Sequence, residues 1–343
     1  MSQVNNSVKV IEGINPDSIP FDELMQAGEP VLLKGLVRNW QLVQRGRESA
    51  AAAIDYLGGF HNGRTVAAYF GRADIQGRYF YNDDLSGLNF ESRRLPLNEV
   101  LEMLAQHLDD AAPPSVYVGS TTVDACLPGL RAQNELQFTH PMFDGNPPLA
   151  SIWIGNRSLA SAHYDAPNNL ACCAVGRRRF TLFPPQQIDN LYPGPLSPTP
   201  GGQAVSMVDF ANPDFARFPR FRDALATAQV AEMEPGDGLF YPSLWWHQVE
   251  AQAGFNAMVN YWWNPSPAFM DTPMNTLLHG MLSLRDRPTS EKQAWRALFE
   301  YYLFGPAEQP RAHLPVHARG PLEELDTMSA RRLRARLLQR LNR

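Results

Sequence analysis

The chain has 343 residues, 44% hydrophobic and 19% charged, enough to bury one large core with additions or two modest ones. A formal net charge of −5 gives no global attraction to nucleic acid or anionic membrane, and three cysteines (Cys126, Cys172, Cys173) exclude a paired disulfide framework. No apolar run reaches spanning length and the N-terminus lacks a basic-then-apolar leader pattern, so a soluble, cytoplasmic protein is expected.

In chain order, a short strand is expected at Val8–Ile11 and a helix start at 20–25. The apolar, β-prone run EPVLLKGLV follows and leads into a turn at Arg38, Asn39 and Trp40. Residues 46–58 are Ala-rich and helical in pattern, and 63–69 and 77–81 read as short strands, the second heavily aromatic. Pro96 opens a helix through Leu108, with Leu97, Val100, Leu101 and Leu104 at helical spacing. From Ser115 to Asn264 short β-type runs alternate with Pro, Gly and Asn clusters without regular βα alternation, which argues for a sandwich, jelly roll or barrel. Adjacent Cys172 and Cys173 read as packed strand residues. Residues 186–222, rich in Pro, Gly and Phe, read as a long insertion over one face, of the kind that covers a site. After Pro267 the pattern turns helical, ending in an amphipathic helix over 321–343. Its Leu322, Leu325, Leu333, Leu337 and Leu341 share a stripe, and Glu323, Glu324 and Asp326 stand at its start. Three regions are therefore expected: α/β elements over 1–110, a β core over 111–266 and a helical region over 267–343.

The chemistry centres on SAHYDAPNNLACCAVGRRRFTLFPP, residues 161–185. On a strand, His163 and Asp165 point to one side. A second histidine, His247 in PGDGLFYPSLWWHQVE, would complete a 2-His-1-carboxylate face that leaves three octahedral positions open. Any one histidine is more often a satisfied core residue, but the long separation lets these two sit on separate strands of one barrel. Arg177, Arg178 and Arg179 form a strand-like run between two buried segments, so Arg178 points opposite to its neighbours. An inward arginine needs an anion, and its planar fork suits a carboxylate.

These motifs resemble the JmjC-like, cupin-fold iron(II)/2-oxoglutarate dioxygenases, in the branch containing the asparaginyl hydroxylase called factor inhibiting hypoxia-inducible factor. The likeness runs from about Pro30 (EPVLLKGLVRNW) to Asn264. It is strongest in SIWIGNRSLASAHYDAPNNLACCAVGRRRFTLFPP and PGDGLFYPSLWWHQVEAQAGFNAMVNYWW. The resemblance implies a double-stranded β-helix core, with His163, Asp165 and His247 as iron ligands. It implies that Arg178 pairs with the distal carboxylate of 2-oxoglutarate, where the family commonly has lysine. Tyr117 matches a tyrosine bonded to the same carboxylate, and Asn169 and Asn260 match asparagines lining the co-substrate pocket. A threonine common three residues before the first ligand is Ala160 here, with Ser161 or Ser158 as substitute hydroxyls. The implied reaction consumes O2 and 2-oxoglutarate, releases succinate and CO2, and hydroxylates a C–H bond of a protein side chain, RNA or small molecule. Tyr241, Trp245, Trp262 and the 186–222 segment are the candidates for a substrate surface, and relatives in this branch imply a homodimer built from the C-terminal helices. Nucleic acid is not indicated by the overall charge, and no membrane partner is expected. Two other classes stand beside this reading: a cupin-type metalloprotein that does not use 2-oxoglutarate, such as an isomerase or other dioxygenase, and a non-catalytic ligand-binding cupin.

Overall fold

A computed structural model describes residues 6–342, which divide into two compact units at Asn264 and Pro265. The first unit carries fourteen strands: β1 (Lys9–Ile11), β2 (Val31–Leu33), β3 (Thr65–Gly71), β4 (Arg78–Tyr79), β5 (Phe90–Pro96), β6 (Ser115–Thr122), β7 (Leu149–Gly155), β8 (Ser158–Tyr164), β9 (Asn168–Val175), β10 (Arg178–Phe183), β11 (Gln229–Met233), β12 (Gly238–Tyr241), β13 (Trp246–Ala251) and β14 (Asn256–Trp263). They form a nine-stranded sheet in the order β1-β2-β12-β9-β14-β7-β6-β3-β5 and a five-stranded sheet in the order β11-β10-β13-β8-β4. Apart from the parallel pairs β1–β2 and β4–β8, the neighbours run antiparallel. The fold is a cupin-type double-stranded β-helix.

Period-two alternation divides the large sheet between two cores. On β9, Leu170, Cys172 and Ala174 face a cluster that also takes in Leu24, Leu42, Leu57, Leu101 and Leu104 from the N-terminal helices. Ala171 and Cys173 face the other way, where they meet Phe180 and Leu182 of β10 between the sheets. With both faces covered, β9 has room for small and apolar side chains and is buried along its whole length. Both cysteines are free thiols inside this strand. The helix Leu97–Gln106 follows Pro96 and buries Leu97, Val100, Leu101 and Leu104 on one face, each worth about 2 kcal/mol of burial.

Several elements differ from the sequence reading. The helical stretch near residue 50 is two helices, Gln41–Glu48 and Ala50–Gly58, broken at Ser49, whose hydroxyl accepts from Ala52 N at 3.0 Å. The first of them carries charged and amide residues with only Leu42 and Val43 buried, which hides its period. Strand β5 escaped notice because it is an edge: ESRR is exposed, so no alternation marks it. Of the N-terminal strands, β1, β2, β3 and β5 extend the large sheet at its two ends, and β4 extends the small sheet beside β8. The 186–222 segment is partly structural, since Leu191, Val208 and Phe221 pack with Phe183 and Trp246 on the outer face of the small sheet.

In the second unit the helices are Pro273–Ser283, Thr289–Phe299 and Thr327–Leu341. The last begins later than its leucine stripe indicates. Asp326 caps it in a capping box with Ser329, while Glu323 lies outside and pairs with Arg311 and Arg319. The end of the expected helix, Arg343, lies outside the described residues. No helix among the described residues is long and apolar enough to cross a membrane.

Candidate metal centre and cavity

His163 on β8 and His247 on β13 are direct partners across the small sheet, with ring centroids 4.4 Å apart. Asp165 follows the end of β8, and ligand atoms of all three residues lie within 4.8 Å of one another. Each imidazole is oriented the same way. Nδ1 of His163 donates to the Ser161 carbonyl and Nδ1 of His247 to the Trp245 carbonyl, both at 2.9 Å. A carbonyl only accepts, so both Nδ1 atoms carry a proton and each ring presents Nε2, not Nδ1, as its ligand atom. His247 Nε2 stands 3.6 Å from Asp165 Oδ2. Burial, with His163 alongside, lowers the His247 pKa to about 4, so the ring is neutral at physiological pH. Two imidazole Nε2 atoms and one carboxylate are a donor set for a divalent transition metal.

The centre opens into a cavity of about 430 Å³ between the sheets. Arg178, from β10, lines it and is 2% exposed, and its Nε and Nη2 have no hydrogen-bond partner among the described residues. Tyr117 of β6 lines the same cavity. Burial pushes its hydroxyl up to about 12 against the pull of the Arg178 guanidinium, so it stays protonated and able to donate. Asn169 Nδ2 lies 2.6 Å from the Tyr241 hydroxyl and 3.5 Å from Asp165 Oδ2, and Asn260 Nδ2 lies 3.5 Å from Asn169 Oδ1. Burial raises the Tyr241 pKa well above the usual tyrosine range, which keeps that hydroxyl protonated. Ser161 and Ser158 both reach the cavity, and Ser161 Oγ accepts from Arg78 Nε at 3.4 Å. An extra residue in β8 opposite the step from His247 to Val249 brings Ala160, Ser161 and His163 to the same wall.

The proposed substrate-facing aromatics separate. Trp262 lines the cavity, and Tyr241 lies deep in it, its ring 4.7 Å from that of His247. Trp245 does not belong to the cavity. Its indole donates to the Gly28 carbonyl at 3.2 Å and its ring is buried with Leu32 and Leu239, so it is core. Residues 199–203 of the long segment line the mouth. Sequence reasoning missed Tyr69, Phe90 and Trp153 on the cavity wall. Of these, only Trp153 carried a signal, standing two residues before the glycine of the SIWIG strand.

A jelly roll with a His-Asp-His metal face and a buried cation beside it defines a cupin-type metal centre. The model of the cupin-like domain matches residues 16–269, and the chain belongs to that family. Among curated proteins it is similar to lysine-specific demethylase JMJ31 of Arabidopsis thaliana, 33% identical over 142 residues, covering 38% of this chain and 25% of that protein. Lysine-specific demethylase 8 of Xenopus tropicalis is 24% identical over 255 residues, 71% of this chain and 50% of that protein. The tRNA wybutosine-synthesizing protein 5 of Gallus gallus is 35% identical over 106 residues, 31% of this chain and 30% of that protein. The matched stretches thus span between a quarter and a half of the length of these relatives.

Proposed function

We propose that the protein is an iron(II)- and 2-oxoglutarate-dependent oxygenase that hydroxylates a C–H bond of its substrate. The observation that carries this reading is Arg178. A guanidinium that is 2% exposed with two unpartnered nitrogens is costly to bury, and a carboxylate presented to that fork removes the cost. A cupin that used the metal alone would have no need of it, and this favours a dicarboxylate co-substrate over the other two classes.

His163, Asp165 and His247 would hold the iron. Arg178 and the Tyr117 hydroxyl would grip the distal carboxylate of 2-oxoglutarate. Bound together, the metal and oxoacid supply O2 activation, with release of succinate and CO2 and delivery of one oxygen atom to a C–H bond. The protein's own task is orientation and exclusion. The Nδ1 bonds to Ser161 and Trp245 hold both imidazoles in one tautomer, and the wall of Tyr69, Tyr79, Phe90 and Trp262 keeps water from the reacting centre. That aromatic wall suits a planar or apolar group, or a methylated ammonium set against the ring faces. Two relatives are named for demethylation of lysine and one for synthesis of a tRNA base. Removal of an N-methyl group by hydroxylating its carbon would use the same first step.

The test is a titration of 2-oxoglutarate into anaerobic, iron(II)-loaded protein, watching for the weak visible charge-transfer band of a chelated oxoacid. The band is expected in the wild type, absent in His163→Ala and weakened in Arg178→Ala. Its absence from folded, iron-loaded wild type would overturn the reading. We also propose that the second unit mediates a homodimer, a reading supported by its exposed apolar side chains, among them Leu282, Phe304, Leu337 and Leu341. Light scattering should give twice the chain mass, falling to one in a Leu337→Asp, Leu341→Asp variant.

A further inference from the structure

Resting on the metal reading above, we infer that Trp153 is a positioning residue for the metal-ligating carboxylate, acting through a hydrogen-bond chain whose direction it sets. Strands β7, β14, β9 and β12 are consecutive neighbours in the large sheet. One polar side chain from each meets the next on the cavity face: Trp153, Asn260, Asn169 and Tyr241. The chain therefore crosses four strands on a diagonal, stepping two residues along from Trp153 to Asn260 and two more from Asn260 to Asn169, and ends beside Asp165.

Its sense follows from what each group can do. Trp153 Nε1 donates to Asn260 Oδ1 at 2.7 Å. An indole N–H cannot accept, so it fixes that carboxamide with its oxygen toward β7 and its Nδ2 toward β9. Asn260 Nδ2 then faces Asn169 Oδ1, which fixes the second amide in the same sense. Asn169 Nδ2 is thereby delivered to Asp165 Oδ2 and to the Tyr241 hydroxyl. With that hydroxyl accepting from Asn169, its own proton is left for another acceptor. If both amides turned over, an amide oxygen would face the Asp165 carboxylate, acceptor against acceptor. Asn260 and Asn169 are each 1% exposed, so solvent does not replace a lost partner. The indole is itself held, 6.0 Å from the Tyr117 ring and 5.9 Å edge-on from that of Trp262.

The test reads the metal rather than turnover. Cobalt(II) is titrated into metal-free, full-length protein and followed by its visible d–d absorption. Trp153→Phe keeps a ring and removes the N–H, and Asn260→Leu keeps the volume and removes the amide. Each is expected to weaken cobalt binding about ten-fold and to alter the band shape. The double variant should be no weaker than the worse single, because both changes cut one chain. Wild-type affinity and spectrum in Trp153→Phe would overturn the inference, as would losses that add in the double variant. A wild type that takes up no cobalt would overturn it together with the metal centre. Loss of the oxoacid band alone, with these cobalt results intact, would overturn only the proposed reaction.

Discussion

Asp237 and Arg178 are both charged and both sealed from solvent, at 3% and 2% exposure, yet the fold treats them oppositely. Asp237 sits in the turn before β12, and the protein completes its shell. Oδ1 accepts from Gly35 N at 2.9 Å, and Oδ2 accepts from Lys34 Nζ at 2.6 Å and Glu234 N at 2.9 Å. These bonds tie the end of β2 to the turn, and the Gly236 carbonyl adds another by accepting from Val37 N at 2.8 Å. Arg178 has no such shell, since two of its nitrogens face a cavity without a partner among the described residues. A buried charge that is fully partnered belongs to the architecture. One left incomplete supports the carboxylate proposed for it.

Removing each charge should therefore have effects of opposite kind. Asp237→Ala strands Lys34 and two backbone donors, and is expected to lower the unfolding free energy by about 3 kcal/mol, seen as a lower urea midpoint. Lys34 is one-third exposed and can turn to water, which holds the figure near the low end for a broken buried pair. Cobalt binding at the metal centre should be unchanged. Arg178→Met removes a charge for which the described residues supply no partner at Nε and Nη2. Its urea midpoint should hold or rise, while 2-oxoglutarate affinity, read from the charge-transfer band, falls about 30-fold. A loss of stability in Arg178→Met as large as that of Asp237→Ala would erase the distinction.

How far the sequence announces these two residues differs for the same reason. The clustering of the three candidate ligands was legible because His163 and Asp165 lie two apart near one strand end and His247 stands in a motif of its own. Strand alternation set Arg178 opposite to Arg177 and Arg179, and the family resemblance, not the alternation, singled it out as the inward one. The 2% exposure and the missing partners are properties of the packed sheets, which no local pattern carries. The Asp237 knot was invisible because Lys34 and Asp237 are 203 residues apart. The Trp153 chain depends on β7, β14, β9 and β12 being neighbours, an order that chain sequence alone does not give. Trp245 went the other way: an aromatic beside the His247 motif reads as part of the site, but it closes the turn before β13, and its indole is bonded to Gly28.

Trp245 offers a check on that assignment at intermediate size. Trp245→Phe loses the bond to Gly28, at the left-handed end of the helix Phe21–Ala27, together with part of a packed ring. It should cost about 1.5 kcal/mol of stability and leave the charge-transfer band as in wild type, whereas a residue of the substrate surface would show the reverse.

The smallest expected effect is the most discriminating. Tyr117→Phe keeps the ring, which stacks at 6.5 Å on Tyr69 and stands 6.0 Å from Trp153, so the cavity wall should stay in place. Only the hydroxyl is lost. Because burial holds that hydroxyl protonated, it acts as a neutral donor, and such a bond contributes about 1 kcal/mol, or roughly five-fold in 2-oxoglutarate affinity. Added to Arg178→Met, the change should cost less than it does alone, because once the guanidinium is gone the distal carboxylate is no longer held against the hydroxyl. Two losses that simply add would mean that the hydroxyl and the guanidinium touch different ligands, and the anion site beside the metal would then be two sites rather than one.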